Sequence, residues 1–154
     1  MPTVIVLDTT PLGLVTQKPG NSSEVDACLR WIADMTRAGS RIVVPEIADY
    51  EIRRELTRAR KMIGLQRLDA FNAARQDRYL PITTEAMLRA VALWAQARNV
   101  GSATADNHAL DGDVILVAQA LGLGVPVGEI IVATSNVRHI ARFIAADMWF
   151  NIRP

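Results

Sequence analysis

VIVLDTTPL, residues 4–12, decides how the rest of this 154-residue chain is read. From Thr3 to Leu7 every residue is apolar or β-branched, with no polar alternation. That is the pattern of a strand buried on both faces, as in a parallel sheet covered by helices. The run then stops at a charge, Asp8, followed by the hydroxyls of Thr9 and Thr10. Alone, Asp8 has two readings. It caps a helix beginning at Thr9 or Thr10, or it serves a ligand beyond the carboxyl end of the strand, where open parallel sheets hold their ligands.

Outward from this stretch, strands and helices alternate. The loop TQKPGNSSE precedes a helix that Ser22 or Ser23 caps, with Val25, Cys28, Leu29, Ile32 and Met35 at helical spacing and Gly39 at its end. RIVV is a second strand, and Pro45 suits the first turn of the charged helix after it. Gly64 is expected to divide that helix from the next, which runs to Ala74. YLPI is a short third strand, and Thr83 or Thr84 caps EAMLRAVALWAQARN. An apolar helix over 113–121, a fourth strand EIIVAT, a short helix NVRHIARF and an edge strand MWFNI complete the chain. Met87 and Trp94 are expected in the core, and Trp31 at the edge of an interface. This order predicts an α/β fold with a mainly parallel sheet of four to five strands flanked by helices.

Composition agrees. The length suits one domain spanning 1–154, and half the residues are hydrophobic. The single Cys28 excludes an internal disulfide framework and points to a reducing, cytoplasmic setting. The N-terminal apolar run is too short for a secretory leader, and no apolar stretch approaches the roughly 20 residues that span a bilayer. A net charge of +1 excludes partner choice by the field of the whole chain.

The carboxylates gather at one place. Asp8 ends the first strand, and Thr134, Ser135 and Asn136 end the fourth. Asp111 and Asp113 sit where the apolar helix begins, and Glu51 lies about two turns into the helix after the second strand. Each has a plain reading. Asp111 or Asp113 complements a helix dipole, and Glu51 faces water on a charged helix. Together, three or four oxygen donors at one sheet edge suit a hard divalent cation such as Mg²⁺. Zinc does not fit, since His108 and His139 lack ligand spacing and there is one cysteine.

At this point the chain resembles the PIN-domain family, small metal-dependent nucleases that include the VapC-type toxins. The likeness covers nearly the whole chain. VIVLDTTPL looks like the family's opening strand, Asp and hydroxyl residue. VVPEIADYEIRREL resembles the segment carrying the family's glutamate, with Glu51 rather than Glu46 as the match. LDGDVILVAQALGLG is similar to the D-x-x-I-x-x-x-A helix start, which puts its Asp at Asp113. IIVATSNVRHI looks like the closing strand and its T-x-D/N turn, with Thr134 and Asn136. Two positions depart. Many members carry Asp where this chain has Asn136, which keeps an oxygen but removes a charge. Asp111, or else Asp106, is the candidate to replace it. Thr10 stands where Asn or Ser is common.

The resemblance implies a PIN-like three-layer fold and metal-assisted hydrolysis of RNA to a 5′-phosphate and a 3′-hydroxyl. Asp8, Glu51 and Asp113, with Asp111 as a further candidate, would hold Mg²⁺ or Mn²⁺. Asn136 completes the catalytic set, and Thr9 and Thr134 orient the carboxylates or water. It further implies a homodimer and, for a toxin, an antitoxin protein as partner. The alternative is a PIN domain that binds RNA in a regulatory role with little or no catalysis, for which Asn136 is the main support. Phosphatases of the haloacid dehalogenase type need a second Asp two residues after the first, and Thr10 stands there. A receiver domain wants a strand-end Lys and an acidic pair placed elsewhere.

An RNA must still approach an acidic cleft. Residues 53–67 carry Arg53, Arg54, Arg58, Arg60, Lys61 and Arg67 against the single acid Glu55. The run reads as a phosphate-backbone footprint or as a solvated helix face.

Overall fold

A computed structural model of the chain describes residues 2–100 and 107–154. The elements run β1 (Val4–Leu7), α1 (Thr9–Val15), α2 (Ser23–Arg37), β2 (Arg41–Pro45), α3 (Glu46–Arg58) and α4 (Met62–Ala73). They continue through β3 (Tyr79–Leu80), α5 (Thr84–Asn99), α6 (Asn107–Leu121), β4 (Ile130–Ala133), α7 (Val137–Ile140) and β5 (Ala146–Asp147). The strands form one sheet in the order β3-β2-β1-β4-β5, and every neighbouring pair is parallel.

β1 lies at the centre, with Ile5 opposite Ile42 of β2 on one side and Ile131 of β4 on the other. All four of its residues are buried, as an unalternating run requires. Ile5 and Leu7 point into a core built with α1, α2 and Leu68 of α4. Val4 and Val6 point the other way, against Leu116, Val117 and Ala120 of α6. The sheet is therefore covered on both faces, in three layers. From β1 the chain steps outward to β2 and β3, then returns to the other side for β4 and β5. The carboxyl ends of β1 and β4 thus meet where the winding reverses, the usual place for a ligand crevice.

Local signals behave as their chemistry dictates. Ser22 and Thr83 each accept a hydrogen bond from the backbone two residues inside the helix, Val25 N and Ala86 N. Gly39 adopts φ +98° just after α2, a conformation open to glycine at little cost. Pro45 ends β2 and stands immediately before α3 rather than within its first turn.

Other expectations are corrected. The break between α3 and α4 falls at residues 59–61, with Arg60 at φ +56°, and not at Gly64. Gly64 is instead buried inside α4, where an added Cβ would lie 2.9 Å from Leu56 Cδ2. The MWFNI segment is not a strand. β5 lies just before it, and Trp149–Asn151 form a 3-10 turn that buries Trp149. Trp31 is buried too: its ring sits 5.7 Å from that of Trp149 and its indole N–H donates to Ile152 O at 3.0 Å. Met87 is exposed, because α5 packs on α6 through Ala86, Ala90 and Ala97 and turns Met87, Leu88 and Val91 outward. Among the described residues no helix is long and apolar enough to cross a membrane.

Candidate active site at the sheet edge

The helix-capping reading of Asp8 holds, at the carboxyl end of β1. It caps α1, its Oδ1 accepting from Thr9 N at 2.7 Å. Its Oδ2 accepts from the Thr134 hydroxyl, also at 2.7 Å. Thr134 is 1% exposed, and the same hydroxyl oxygen accepts from Asn136 N at 2.9 Å. The two strand ends are tied again by Asp8 N donating to Ala133 O and by a hydroxyl pair, Thr10 with Ser135, at 2.7 Å. Asp8 is thus held from two elements that are neighbours only because β1 pairs with β4.

Asp113 reaches the same edge from α6. That helix begins at Asn107, not at 113, so Asp111 and Asp113 lie in its second turn. A dipole role fades within the first turn, which removes the plain reading of both. Asn136 Nδ2 donates to the Asp113 carboxylate at 3.0 and 3.3 Å. His139 Nδ1 stands 4.0 Å from Asp113 Oδ2. Burial pushes the Asp113 carboxyl up to about 6, and the Asp8 charge adds to it. The amide of Asn136 and the charge of Arg142 pull the other way, while Glu51 raises it further.

Glu51 arrives from α3. Its carboxyl is also raised, first by burial and then by Asp8, with Arg54 opposing. Its Oε1 lies 2.6 Å from where a Cβ on Gly112 would sit. α3 is held beside α6 by the buried Gln119, whose Oε1 accepts from Ile47 N at 3.2 Å and whose Nε2 donates to Leu80 O at 2.8 Å.

These groups share an open cleft of about 500 Å³, lined by Asp8, Glu51, Asp113 and Asn136, with Thr9 and Arg54 beside them and the exposed Asp111 on its wall. Carboxylates that raise one another's proton affinity are paired with too little positive charge, and a hard cation would relieve them. Among the described residues no three His, Cys, Asp or Glu side chains form a group able to hold an ion by themselves. The donor set nonetheless fits Mg²⁺ or Mn²⁺, since Mg²⁺ typically takes one or two carboxylates directly and keeps waters for the remaining positions. Asp106 lies outside the described residues.

The basic run divides. Arg54 stands at the acidic cleft, near the Tyr50 ring. Arg53 turns away and forks onto the buried Asp49 at 2.8 and 3.0 Å, with Asp69 at 2.8 Å. Arg58 pairs with Glu55 at 2.9 Å. Arg58, Arg60, Lys61, Arg67 and Lys18 rim a larger groove of about 870 Å³ whose apolar wall includes Ile52, Leu56, Met62 and Ile63. His139 enters the sequence reading only as a zinc ligand that does not fit, and Gly112 is not singled out there. His139, one helical turn after Asn136, was findable from spacing, whereas Gly112 carried no signal at all.

A parallel three-layer domain with carboxylates gathered at its winding reversal defines a class, the α/β domains that work from an acidic crevice. The sequence matches the PIN domain family over residues 5–142, and the chain belongs to that family, whose members are generally nucleases. No curated protein sequence matches the chain. Among solved structures, VapBC2 from Rickettsia felis, bound to a promoter DNA fragment, is similar with TM-score 0.67 and 13% identity, over 95% of this chain and 98% of that one. VapBC-1 from nontypeable Haemophilus influenzae gives 0.61 and 16%, over 96% and 98%. FitAcB from Neisseria gonorrhoeae gives 0.59 and 16%, over 96% and 99%. At such identities the likeness is one of fold.

Proposed function

We propose that this PIN domain is an Mg²⁺- or Mn²⁺-dependent endoribonuclease, the toxin of a toxin–antitoxin pair, working from the Asp8 cleft. The observation that carries this reading is the convergence of Asp8, Glu51 and Asp113 on one crevice, with the Glu51 and Asp113 carboxyls raised in part by their neighbours' charge. Asp8, Glu51 and Asp113 would hold the ion, with Asp111 on the wall of the same cleft as a further candidate. A divalent ion supplies positive charge against the attacked phosphate and acidifies the attacking water.

The chain's own groups do the rest. Thr134 aims Asp8 Oδ2 into the cleft while Thr9 N holds Oδ1. Asn136 fixes Asp113 through its amide. Arg54, beside the carboxylates, meets an incoming phosphate and screens their charge from it. Arg58, Arg60 and Lys61 are more distant candidates for backbone contact, and Arg53 contributes through its hold on Asp49. The apolar groove with its cationic rim suits an acidic antitoxin segment, and the outward Met87, Leu88 and Val91 support pairing of two copies.

The test is cleavage of mixed single-stranded RNAs with Mg²⁺ or Mn²⁺ and with chelator, beside Asp8→Asn and Asp113→Asn. Metal-dependent cleavage abolished by both substitutions is expected. Cleavage indifferent to chelator and substitutions refutes the reading. RNA and metal binding without cleavage would favour the regulatory alternative, which the Asn136 amide already lying on Asp113 supports.

A further inference from the structure

Gly112 stands inside α6, between Asp111 and Asp113. A glycine within a helix weakens it relative to alanine, because it fixes the most backbone freedom and adds no packing. Nothing in its helical backbone demands glycine, since it is not among the residues with positive φ. The space beside it does. An added Cβ would lie 2.6 Å from Glu51 Oε1 and 3.8 Å from Glu51 Cδ, and among the described residues outside α6 it would meet no other atom within 4 Å. The volume a side chain would fill is occupied by the Glu51 carboxylate.

We propose that Gly112 is a positioning residue: its missing side chain gives the Glu51 carboxylate its seat against α6, one residue from Asp113 and facing Asp8. This rests on the metal-nuclease reading above. Oε1 is the free end of a flexible side chain, so an alanine at this position would not break the fold. It would swing the carboxylate off α6 and out of register with the other two. The helix penalty at residue 112 is thereby exchanged for the geometry of the cleft.

Stability and metal affinity should therefore move in opposite directions. In the full chain with chelator, Gly112→Ala is expected to keep or raise Tm by about 1–4 °C, as helix propensity dictates. Calorimetry with Mn²⁺ should show affinity at least about tenfold weaker, and cleavage should lose kcat more than KM. In a Glu51→Ala background the same substitution should add no further loss of Mn²⁺ affinity, since no carboxylate remains to displace. Unchanged Mn²⁺ affinity in Gly112→Ala overturns the proposal while leaving the nuclease reading intact. So does an equal loss in both backgrounds. A parent protein that neither binds Mn²⁺ nor cleaves RNA overturns both.

Discussion

Replacing Asp113 with asparagine should make the metal-free protein more stable, at a pH that Asp113 itself selects. The side chain is 13% exposed, so solvent screens it little. Its carboxyl is raised from 3.8 to about 6, by burial first and by Asp8 next. A gap of about two pH units corresponds to roughly 3 kcal/mol between protonated and ionised forms. The folded value lies above the unfolded one. Stability is therefore fully present below pH ~4, where the group is neutral in both states, and is lost as pH rises through about 6. Asparagine removes that loss but returns one acceptor oxygen to Asn136 Nδ2 in place of two, which costs about 1 kcal/mol. The net gain at pH 8 is about 2 kcal/mol, or roughly 4–8 °C in Tm for a chain of this size. Scanning calorimetry in chelator from pH 4 to pH 8 reads it directly, because comparing the two proteins cancels most of what the other carboxylates do. A Tm advantage growing with pH is expected. A lower Tm for Asp113→Asn at pH 8, or a difference that ignores pH, would refute the reasoning.

Thr134→Val keeps the shape but strands Asp8 Oδ2 and Asn136 N, and should cost about 2 kcal/mol in urea unfolding, with Thr134→Ser close to the parent; equal stability of the valine variant would contradict this role. Arg53→Ala leaves the buried Asp49 carboxylate without its fork and should cost about 2–3 kcal/mol, whereas Arg54→Ala should change stability by less than about 0.5 kcal/mol. Equal effects of the two arginine substitutions would argue against the division of the basic run.

Much of the frame was legible because it depends on local chemistry. An unalternating apolar run ending on Asp8 dictated both a doubly covered strand and a charged carboxyl end. Ser22, Thr83 and Gly39 marked helix ends by groups that act within a few residues. What was hidden depends on partners distant in sequence. The stripe of Met87 and Val91 has helical spacing, but spacing does not say which side α6 takes, and close packing favoured the alanines. Gly64 looked like a break, yet its smallness serves Leu56. The run from Arg53 to Lys61 showed its charges and not their counter-charges, Asp49 and Asp69 for Arg53 and Glu55 for Arg58. Two-residue strands such as β5 have no period to detect, and Trp149 obeyed its affinity for Trp31 instead. At the cleft, Asp8, Glu51, Asp113 and Asn136 could be named from strand ends and motif order. The seat that Gly112 leaves for Glu51 could not, because absence of a side chain is silent until its neighbour is known.

The tie between Asp8 and Thr134 spans 126 positions, across the pairing of the first strand with the fourth. A polypeptide emerging from the ribosome presents Asp8 almost at once, Glu51 soon after and Asp113 later, but the strand that aligns Asp8 is synthesised after all three. At about 5–20 residues per second, the stretch from Asp113 to Thr134 takes about 1–4 s, during which all three acidic groups exist while Asp8 still lacks its tie to Thr134. The winding of the sheet therefore acts as a timer: the acidic crevice cannot close around Asp8 until β4 and the Thr134 turn have been made.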